Sequence, residues 1–253
     1  MSSRPRRKRG AGREAKRAAR QQASGEVAAW IERRIPYFEV LNEEALELIE
    51  HNADTVLEEI GVEFREFPRA LELWREAGAD VDGERVRFPR GLCRSIIQAS
   101  APREFMQHAR NPARSVRIGG DRTVLVPAYG SPFVRDLDQG RRYAKIEDFR
   151  NFVKLAYMSP GLHHSGGTVC EPVDLPVNKR HFDMVYSHIK YSDKPFMGSV
   201  THPERARDTV EMAKLVFGEE FVDQNTVVTS LINANSPLTF DDTMLGSATV
   251  YAE

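Results

Sequence analysis

The chain has 253 residues, of which 41% are hydrophobic and 29% are charged, and its formal net charge is −1. These values are typical of a globular protein that buries a sizeable core. No apolar run approaches the roughly 18–20 residues of a membrane span, so we expect no membrane association. The two cysteines, Cys93 and Cys170, form no CxxC motif, which favours the reducing cytoplasm over a disulfide-linked exterior.

The charge is unevenly distributed along the chain. Residues 1–22 contain nine Lys or Arg and one Glu, whereas the rest of the chain is net acidic. Because residues 1–25 contain almost no large apolar side chains, we predict a disordered basic arm. A nucleic-acid contact and a transit peptide are the alternatives for this arm. The absence of an apolar h-region argues against a secretory signal, and we expect no nucleic-acid partner.

Residues 26–110 are predicted to form a mostly helical N-terminal cap. Asn42 is an expected helix N-cap, apolar residues then recur at helical spacing, and Gly61 follows as a stop signal. The further predicted elements of the cap are helices over Pro68–Ala77 and Pro89–Ser100 and a short strand over Arg85–Phe88.

Residues 111–253 alternate between strand-like and helix-like patterns. The predicted strands are Thr123–Ala128, Ser165–Cys170, Pro195–Val200 and Thr226–Asn233. The predicted helices are Ile146–Tyr157, Val177–Tyr191, a helix that begins with the capping box Thr201–Glu204 and ends at Gly218, and a last helix from about Thr239. Four successive βα units predict a parallel sheet, either in a barrel or in an open doubly wound arrangement. No GxGxxG or GxxxxGK[ST] motif follows a strand, which weakens a nucleotide-binding interpretation.

Polar residues gather where these strands are predicted to end. In α/β enzymes the carboxyl ends of parallel strands hold the functional site. We therefore select seven candidates for substrate binding there: Tyr129, Ser131, His163, His164, Glu171, Asn233 and Asn235. The residue pattern identifies no catalytic residue.

Two other chemistries deserve consideration at the second strand. Zinc could be held by His163, His164, Cys170 and Glu171, but adjacent side chains of a strand point to opposite faces, so we expect no metal site. Cys170 could act as a nucleophile with His164 as its base. A small buried thiol and hydrogen-bonded structural histidines are the simpler interpretation of these residues.

Three stretches of the sequence carry a resemblance to a known family. They are GGTVCEPVDLPVNKRHFDMVYSHIKYSDKPFMGS, the preceding YGSPFVRDLD and the following NANSPLTFDDTML. Together they closely resemble the trimethylamine methyltransferase family, and in particular its branch without pyrrolysine, which demethylates quaternary amines such as glycine betaine. The resemblance extends over roughly residues 35–247, and members of the family are about twice as long as this chain.

The resemblance implies both a fold and a reaction. The fold is α/β, the N-terminal half of a TIM (β/α)8-type barrel with about four βα units behind the helical cap. The reaction moves a methyl group from a methylated amine to the Co(I) of a corrinoid on a separate partner protein. The chain itself would then bind no cofactor directly. Whether the chain forms a homo-oligomer is left open.

The resemblance also suggests roles for some candidates. Tyr129 could present a cation–π face to a quaternary ammonium, and Glu171 could balance its positive charge. Asn233 and Asn235 could clamp a substrate carboxylate. The structural alternatives are a core aromatic for Tyr129 and turn capping for the two asparagines.

Two further hypotheses about function remain open at this point. The chain could be a truncated, catalytically inactive fragment that serves as a binding or assembly module. Alternatively, it could be an unrelated zinc hydrolase that uses His163, His164 and Glu171. Because a barrel needs eight units and roughly 250 residues, we expect the 253-residue chain alone to show no methyl transfer.

Overall fold

The computed structural model describes residues 28–253. The predicted disordered arm, residues 1–25, lies outside these residues. The described part has a mixed α/β fold. Its helices are α1 (Glu43–Glu59), α2 (Pro68–Glu76), α3 (Leu92–Ser100), α4 (Ile146–Met158), α5 (Arg180–Tyr191), α6 (Pro203–Phe217), α7 (Glu219–Gln224) and α8 (Asp242–Ala252). None of them is long and apolar enough to cross a lipid bilayer.

Twelve short strands accompany the helices within residues 28–253. They are β1 (Ile31–Glu32), β2 (Val62–Phe64), β3 (Asp80–Asp82), β4 (Arg85–Arg87), β5 (Glu104–Gln107), β6 (Val116–Gly119), β7 (Arg122–Thr123), β8 (Phe133–Asp136), β9 (Gly140–Tyr143), β10 (Phe196–Met197), β11 (Val228–Thr229) and β12 (Thr239–Phe240). They form two four-stranded sheets, in the orders β1-β7-β6-β5 and β12-β2-β4-β3, and the two pairs β8-β9 and β10-β11.

The N-terminal cap is mixed rather than mostly helical. Helix α1 begins as the sequence predicts, because the Asn42 side chain accepts a hydrogen bond from the Ala45 N–H at 2.9 Å, and the chain turns at Gly61 with φ of +74°. The strands that were not predicted are two to four residues long, and β1 and β2 pair with strands that lie far away in the chain. Strand β12 lies parallel to β2, so residues 239–240 complete a sheet of the cap.

The core of the cap is aromatic. Phe64 and Phe88 are buried, with Trp74 and Phe240 packed against them. The rings of Trp74 and Phe88 meet edge to face at 4.8 Å, and those of Phe64 and Phe240 stack at 5.7 Å. Edge-to-face and offset contacts of this kind add to the free energy that burial itself supplies. The cap is therefore fastened to the C-terminal part of the chain by Phe240.

Four extended segments follow one another across the second part of the molecule, over residues 124–130, 163–168, 195–198 and 226–230. The N–H of His163 donates to Leu125 O at 3.0 Å, that of Ser165 to Pro195 O at 2.8 Å, and that of Gly198 to Thr229 O at 2.8 Å. The segments thus lie side by side in chain order. Within the described residues, β10 and β11 alone among them form a regular parallel ladder, and no closed barrel is present.

The predicted strands over Thr123–Ala128 and Ser165–Cys170 are irregular in the structure. Pro127 lacks the N–H that a ladder requires, and the Leu125 N–H donates to the His163 ring rather than to a carbonyl. In the second segment, Gly166 has φ of +89°, and its N–H donates to the His164 ring. Side chains therefore take backbone hydrogen bonds that a regular strand would use.

The helices that flank these segments are close to the prediction, with two corrections. Helix α6 is capped by His202, whose ring accepts the Glu204 N–H at 3.3 Å, and not by Thr201. The last helix begins after Asp241, whose carboxylate accepts the Met244 N–H at 2.9 Å, because Thr239 already belongs to β12. Gly218 ends α6 as predicted.

A buried lysine joins α4 to the third segment. Lys194 is 3% exposed, and its ammonium donates to the carbonyls of Ala156, Ser159 and Leu162 at 2.8, 3.1 and 2.7 Å. Ala156 and Ser159 lie at the C-terminal end of α4, where the positive charge interacts favourably with the helix dipole, and Leu162 lies in the loop beyond it. Burial lowers the pKa of Lys194 to about 8.

Candidate functional site

The candidate site lies at the carboxyl ends of the first three segments. Tyr129 and Gly130 end the first segment, Gly167 and Thr168 the second, and Gly198 the third. The Gly130 N–H donates to Thr168 O at 2.6 Å, so the first two ends are in direct contact. A Cβ on Gly130 would lie 2.1 Å from Val169 O. Glycine is required there because the two backbones touch.

The Tyr129 side chain lies against the backbone of Gly167 at this edge. Its hydroxyl would be 2.9 Å from a Cβ on Gly167, and the Met197 side chain would be 3.0 Å from the same position. The residue is 44% exposed, and burial of its hydroxyl raises the pKa of Tyr129. The structure therefore leaves an open aromatic face beside a thioether and a glycine, which is a suitable surface for a methylated cation.

His164 belongs to a buried polar network and not to the open edge. Its Nδ1 accepts the Gly166 N–H at 2.9 Å, which leaves Nε2–H to donate to Gln107 Oε1 at 3.1 Å. The Gln107 amide in turn donates to the carbonyls of Phe196 and Val227. Burial, with a smaller contribution from nearby His188, lowers the pKa of His164 to about 3. His164 is thus a neutral side chain, and Gln107 of β5 links it to the third and fourth segments.

His163 also has a structural contact. Its Nδ1 accepts the Leu125 N–H at 2.9 Å, and the ring is 6% exposed. Burial, and then the positive charge of Lys194, lower the pKa of His163. Within residues 28–253, no group of three or more His, Cys, Asp or Glu side chains is arranged to hold a metal ion.

Cys170 is enclosed in an apolar cluster. It is 2% exposed and packs among Val134, Ala144, Phe149 and Val153. Burial, with the charges of two neighbouring aspartates, raises the pKa of its thiol to about 12. A thiol in this environment is neutral near pH 7, so it is a poor nucleophile.

Glu171 and Ser131 meet through their backbones. The Glu171 N–H donates to Ser131 O at 3.2 Å, and the Ser131 hydroxyl accepts the Phe133 N–H at 3.1 Å. The Glu171 carboxylate pairs with the guanidinium of Arg180 in the first turn of α5. Its negative charge is therefore already balanced by an arginine.

The two asparagine candidates lie in the loop before α8. The Asn235 amide donates to Asp241 Oδ2 at 2.6 Å, and its backbone forms a two-way bridge with Thr239. Asn233 is exposed. The contacts of Asn235 are those of a residue that shapes a turn and supports the N-cap of the following helix.

A small cavity lies beside this edge, between α5 and the first turn of α6. Its volume is about 50 Å³. We refer to it as the α5–α6 cavity; its lining includes Gly167, Arg180, His181, Gly198, Ser199 and Arg205. The Tyr251 hydroxyl of α8 donates to Ser199 O at 2.8 Å nearby. Glu171 also lines this cavity and is paired there with Arg180.

Comparisons with known proteins identify the family. The family model described as trimethylamine methyltransferase (MTTB) matches residues 6–253. This chain belongs to the trimethylamine methyltransferase family. It is also 46% identical over 220 residues to the glycine betaine methyltransferase of Desulfitobacterium hafniense (strain Y51), a match that covers 87% of this chain and 46% of that protein. The chain therefore spans about half the length of the curated relative it matches.

Several residues of the candidate site were missed by sequence reasoning. Gln107 lies in β5, 57 residues before His164, and no local pattern connects the two. The sequence did contain a signal for Arg180 and Arg205. A basic residue in the first turn of a helix is unfavourable next to the positive end of the helix dipole, so its presence indicates a nearby anion. In this member of the trimethylamine methyltransferase family, both arginines line the same cavity.

Proposed function

We propose that this chain forms the amine-binding half of a methyltransferase that moves a methyl group from a quaternary amine to the Co(I) of a corrinoid. Glycine betaine is the proposed amine, and a separate protein carries the corrinoid. The observation that carries the proposal is the 46% identity over 220 residues to a glycine betaine methyltransferase. Because the chain spans about half of that relative, the activity belongs to the proposed complete barrel.

The fold that we propose for this activity is half of a TIM (β/α)8-type barrel. Four extended segments lie in chain order, with hydrogen bonds between the first and second, the second and third, and the third and fourth. Helices α4, α5, α6 and α8 follow these segments in turn. In a barrel of this type the carboxyl ends of the segments face the substrate, and Tyr129, Gly167 and Gly198 lie at those ends.

The proposed reaction needs little acid–base catalysis. A quaternary nitrogen already carries positive charge, so it leaves as a neutral tertiary amine when its methyl carbon is attacked. The chain therefore has to hold the cation in line with the acceptor and to exclude water. Tyr129 is proposed to hold the trimethylammonium group against its ring. We place the reaction in the cytoplasm, in keeping with the free thiols of Cys93 and Cys170.

The test is a reconstituted methyl transfer. The 253 residues are fused to the part of the Desulfitobacterium protein beyond the matched stretch, and glycine betaine is added with a chemically reduced Co(I) corrinoid. We expect conversion of Co(I) to the methylated corrinoid, recorded by absorbance, and formation of dimethylglycine. A folded fusion protein that methylates the corrinoid from none of a panel of methylated amines would contradict the proposed function.

A matched pair of variants assigns the role of Tyr129. Tyr129→Leu removes the ring and should raise the KM for glycine betaine by about 3- to 30-fold, the range expected for a cation–π contact. Tyr186 of α5 has a similar exposure, 49% against 44%, so Tyr186→Leu serves as the control and should leave KM unchanged. Equal effects of the two substitutions would remove Tyr129 from the proposed site.

A further inference from the structure

The α5–α6 cavity has the charge pattern of an anion site. Arg180 and Arg205 line it from the first turns of two helices that are 12 and 15 residues long. Arg180 is paired with Glu171. Arg205 is partly buried and donates to the Thr201 hydroxyl at 2.8 Å. With one pair neutralised, the lining guanidinium groups retain one positive charge.

The N-terminal ends of α5 and α6 also favour an anion in the cavity. The N-terminal end of a helix carries a partial positive charge and favours anions. A guanidinium in the first turn is therefore unfavourable unless a negative group lies close by. Glu171 supplies one such group to Arg180, whereas Arg205 has a neutral hydroxyl as its hydrogen-bond partner. An anion in the cavity would satisfy Arg205.

A buried histidine nitrogen in the cavity lining lacks a partner. His181 is 4% exposed, and its Nε2 lies 2.7 Å from Asp208 Oδ2. Its Nδ1 is buried without a hydrogen-bond partner among residues 28–253. Buried polar atoms are almost always satisfied in native proteins. A ligand or a water in the cavity would satisfy this nitrogen.

We propose that the α5–α6 cavity binds the carboxylate of a small carboxylated quaternary amine, with Arg205 as the principal cation. This inference rests on the proposed function for the identity of the amine. At about 50 Å³ the cavity has room for roughly four waters, which suits a carboxylate and little more. Gly167 lines the cavity and also lies beneath the Tyr129 hydroxyl, so the two ends of a betaine would meet at this residue.

This assignment replaces the asparagine clamp that the sequence suggested. Asn235 already donates to Asp241, whereas the planar guanidinium of Arg205 matches a carboxylate in shape and charge. The cavity would then select betaines over methylated amines without a carboxylate. Arg205 is proposed here as a specificity-determining residue.

The test uses acetate and the isolated chain. Acetate carries the carboxylate but no methylated nitrogen, so its binding does not depend on methyl transfer. Titration at constant ionic strength, followed by ¹H–¹⁵N spectra, should shift the signals of Gly167 and the Arg205 Nε–H, with chloride producing much smaller shifts. Arg205→Met should weaken acetate binding by about 10-fold or more. Arg207 is exposed on the same helix, and Arg207→Met should bind acetate as the unmodified chain does.

An additional variant and the fused protein separate a failure of the carboxylate site from a failure of the proposed function. Arg205→Lys keeps the charge but loses the planar fork, so it should bind acetate with intermediate affinity and covers the case in which Arg205→Met fails to fold. Absent acetate binding, or equal binding by the Arg205→Met and Arg207→Met chains, would overturn the carboxylate site even if the fused protein transfers methyl groups. Acetate binding that depends on Arg205, in a fused protein without methyl transfer, would uphold the site and contradict the proposed function.

Discussion

Gly198 has no room for a methyl group on its α-carbon. A Cβ at this position would lie 2.2 Å from the Tyr251 hydroxyl oxygen and 2.8 Å from Thr209 Cγ2, whereas ordinary contacts begin at 3.4 Å. In Gly198→Ala, the Tyr251 ring must retreat by more than 1 Å. That movement breaks the 2.8 Å hydrogen bond from its hydroxyl to Ser199 O.

The expected loss of stability in Gly198→Ala has two parts. Overpacking of a tight site costs about 1–3 kcal/mol, and loss of the Tyr251 hydrogen bond costs about 1 kcal/mol more. We therefore expect Gly198→Ala to lower the free energy of unfolding by about 2–4 kcal/mol, measured by urea denaturation. Gly161→Ala is the control, because a Cβ there meets nothing within 4 Å, and its effect should be within about 1 kcal/mol.

A double-mutant cycle identifies the clashing atom. Tyr251→Phe alone removes the hydroxyl and should cost about 1 kcal/mol. If the hydroxyl is what opposes the new methyl group, Gly198→Ala combined with Tyr251→Phe should cost less than the two single changes together, by about 1 kcal/mol or more. Strict additivity, or a Gly198→Ala chain as stable as Gly161→Ala, would refute the close packing of α8 against the third segment.

Three further predictions concern buried and loop residues. Burial lowers the pKa of His164 to about 3 and that of His188 to about 4, so the unfolded chain binds more protons and stability falls as the pH drops from about 6.5 towards these values, by about 2 kcal/mol per histidine at about pH 5. Urea midpoints should therefore depend less on pH in His188→Gln than in the unmodified chain, and an unchanged dependence would contradict this. Lys194→Met leaves three carbonyls without their donor and should cost about 3 kcal/mol in urea denaturation; a loss below about 1 kcal/mol would show that the contacts are weak. Asn235→Ala should lower stability by about 0.5–1 kcal/mol through its lost contact with Asp241, while leaving acetate affinity unchanged; weaker acetate binding would return Asn235 to the site.

Local signals predicted the helices well. Asn42 and Gly61 mark the two ends of α1. These ends could be predicted because capping depends on residues within one turn of the helix end. Gly218 ends α6 for the same reason. The strands were harder to predict, since β12 pairs with β2 across more than 170 residues and neither strand is longer than three residues. Pairing over such distances leaves no periodic pattern in the sequence.

The sequence predicted where some of the candidate residues lie in the fold, but not their contacts. Tyr129 and Glu171 do lie at the carboxyl ends of extended segments, as expected from the alternation of strands and helices. The partners of Glu171 and His164 depend on tertiary packing, because Arg180 comes from the next helix and Gln107 from the cap. Sequence spacing therefore located the edge, whereas only the fold shows that an arginine already balances Glu171.

Methyl transfer traced by isotope tests the proposed activity most directly. Glycine betaine labelled with ¹³C in its N-methyl groups is incubated with the fused protein and a Co(I) corrinoid, and the products are followed by ¹³C spectra. We predict that the label appears in a cobalt-bound methyl group in the same amount as dimethylglycine is formed. Dimethylglycine without labelled corrinoid, or no change in the betaine signal with a folded protein, would contradict a corrinoid-dependent methyltransferase.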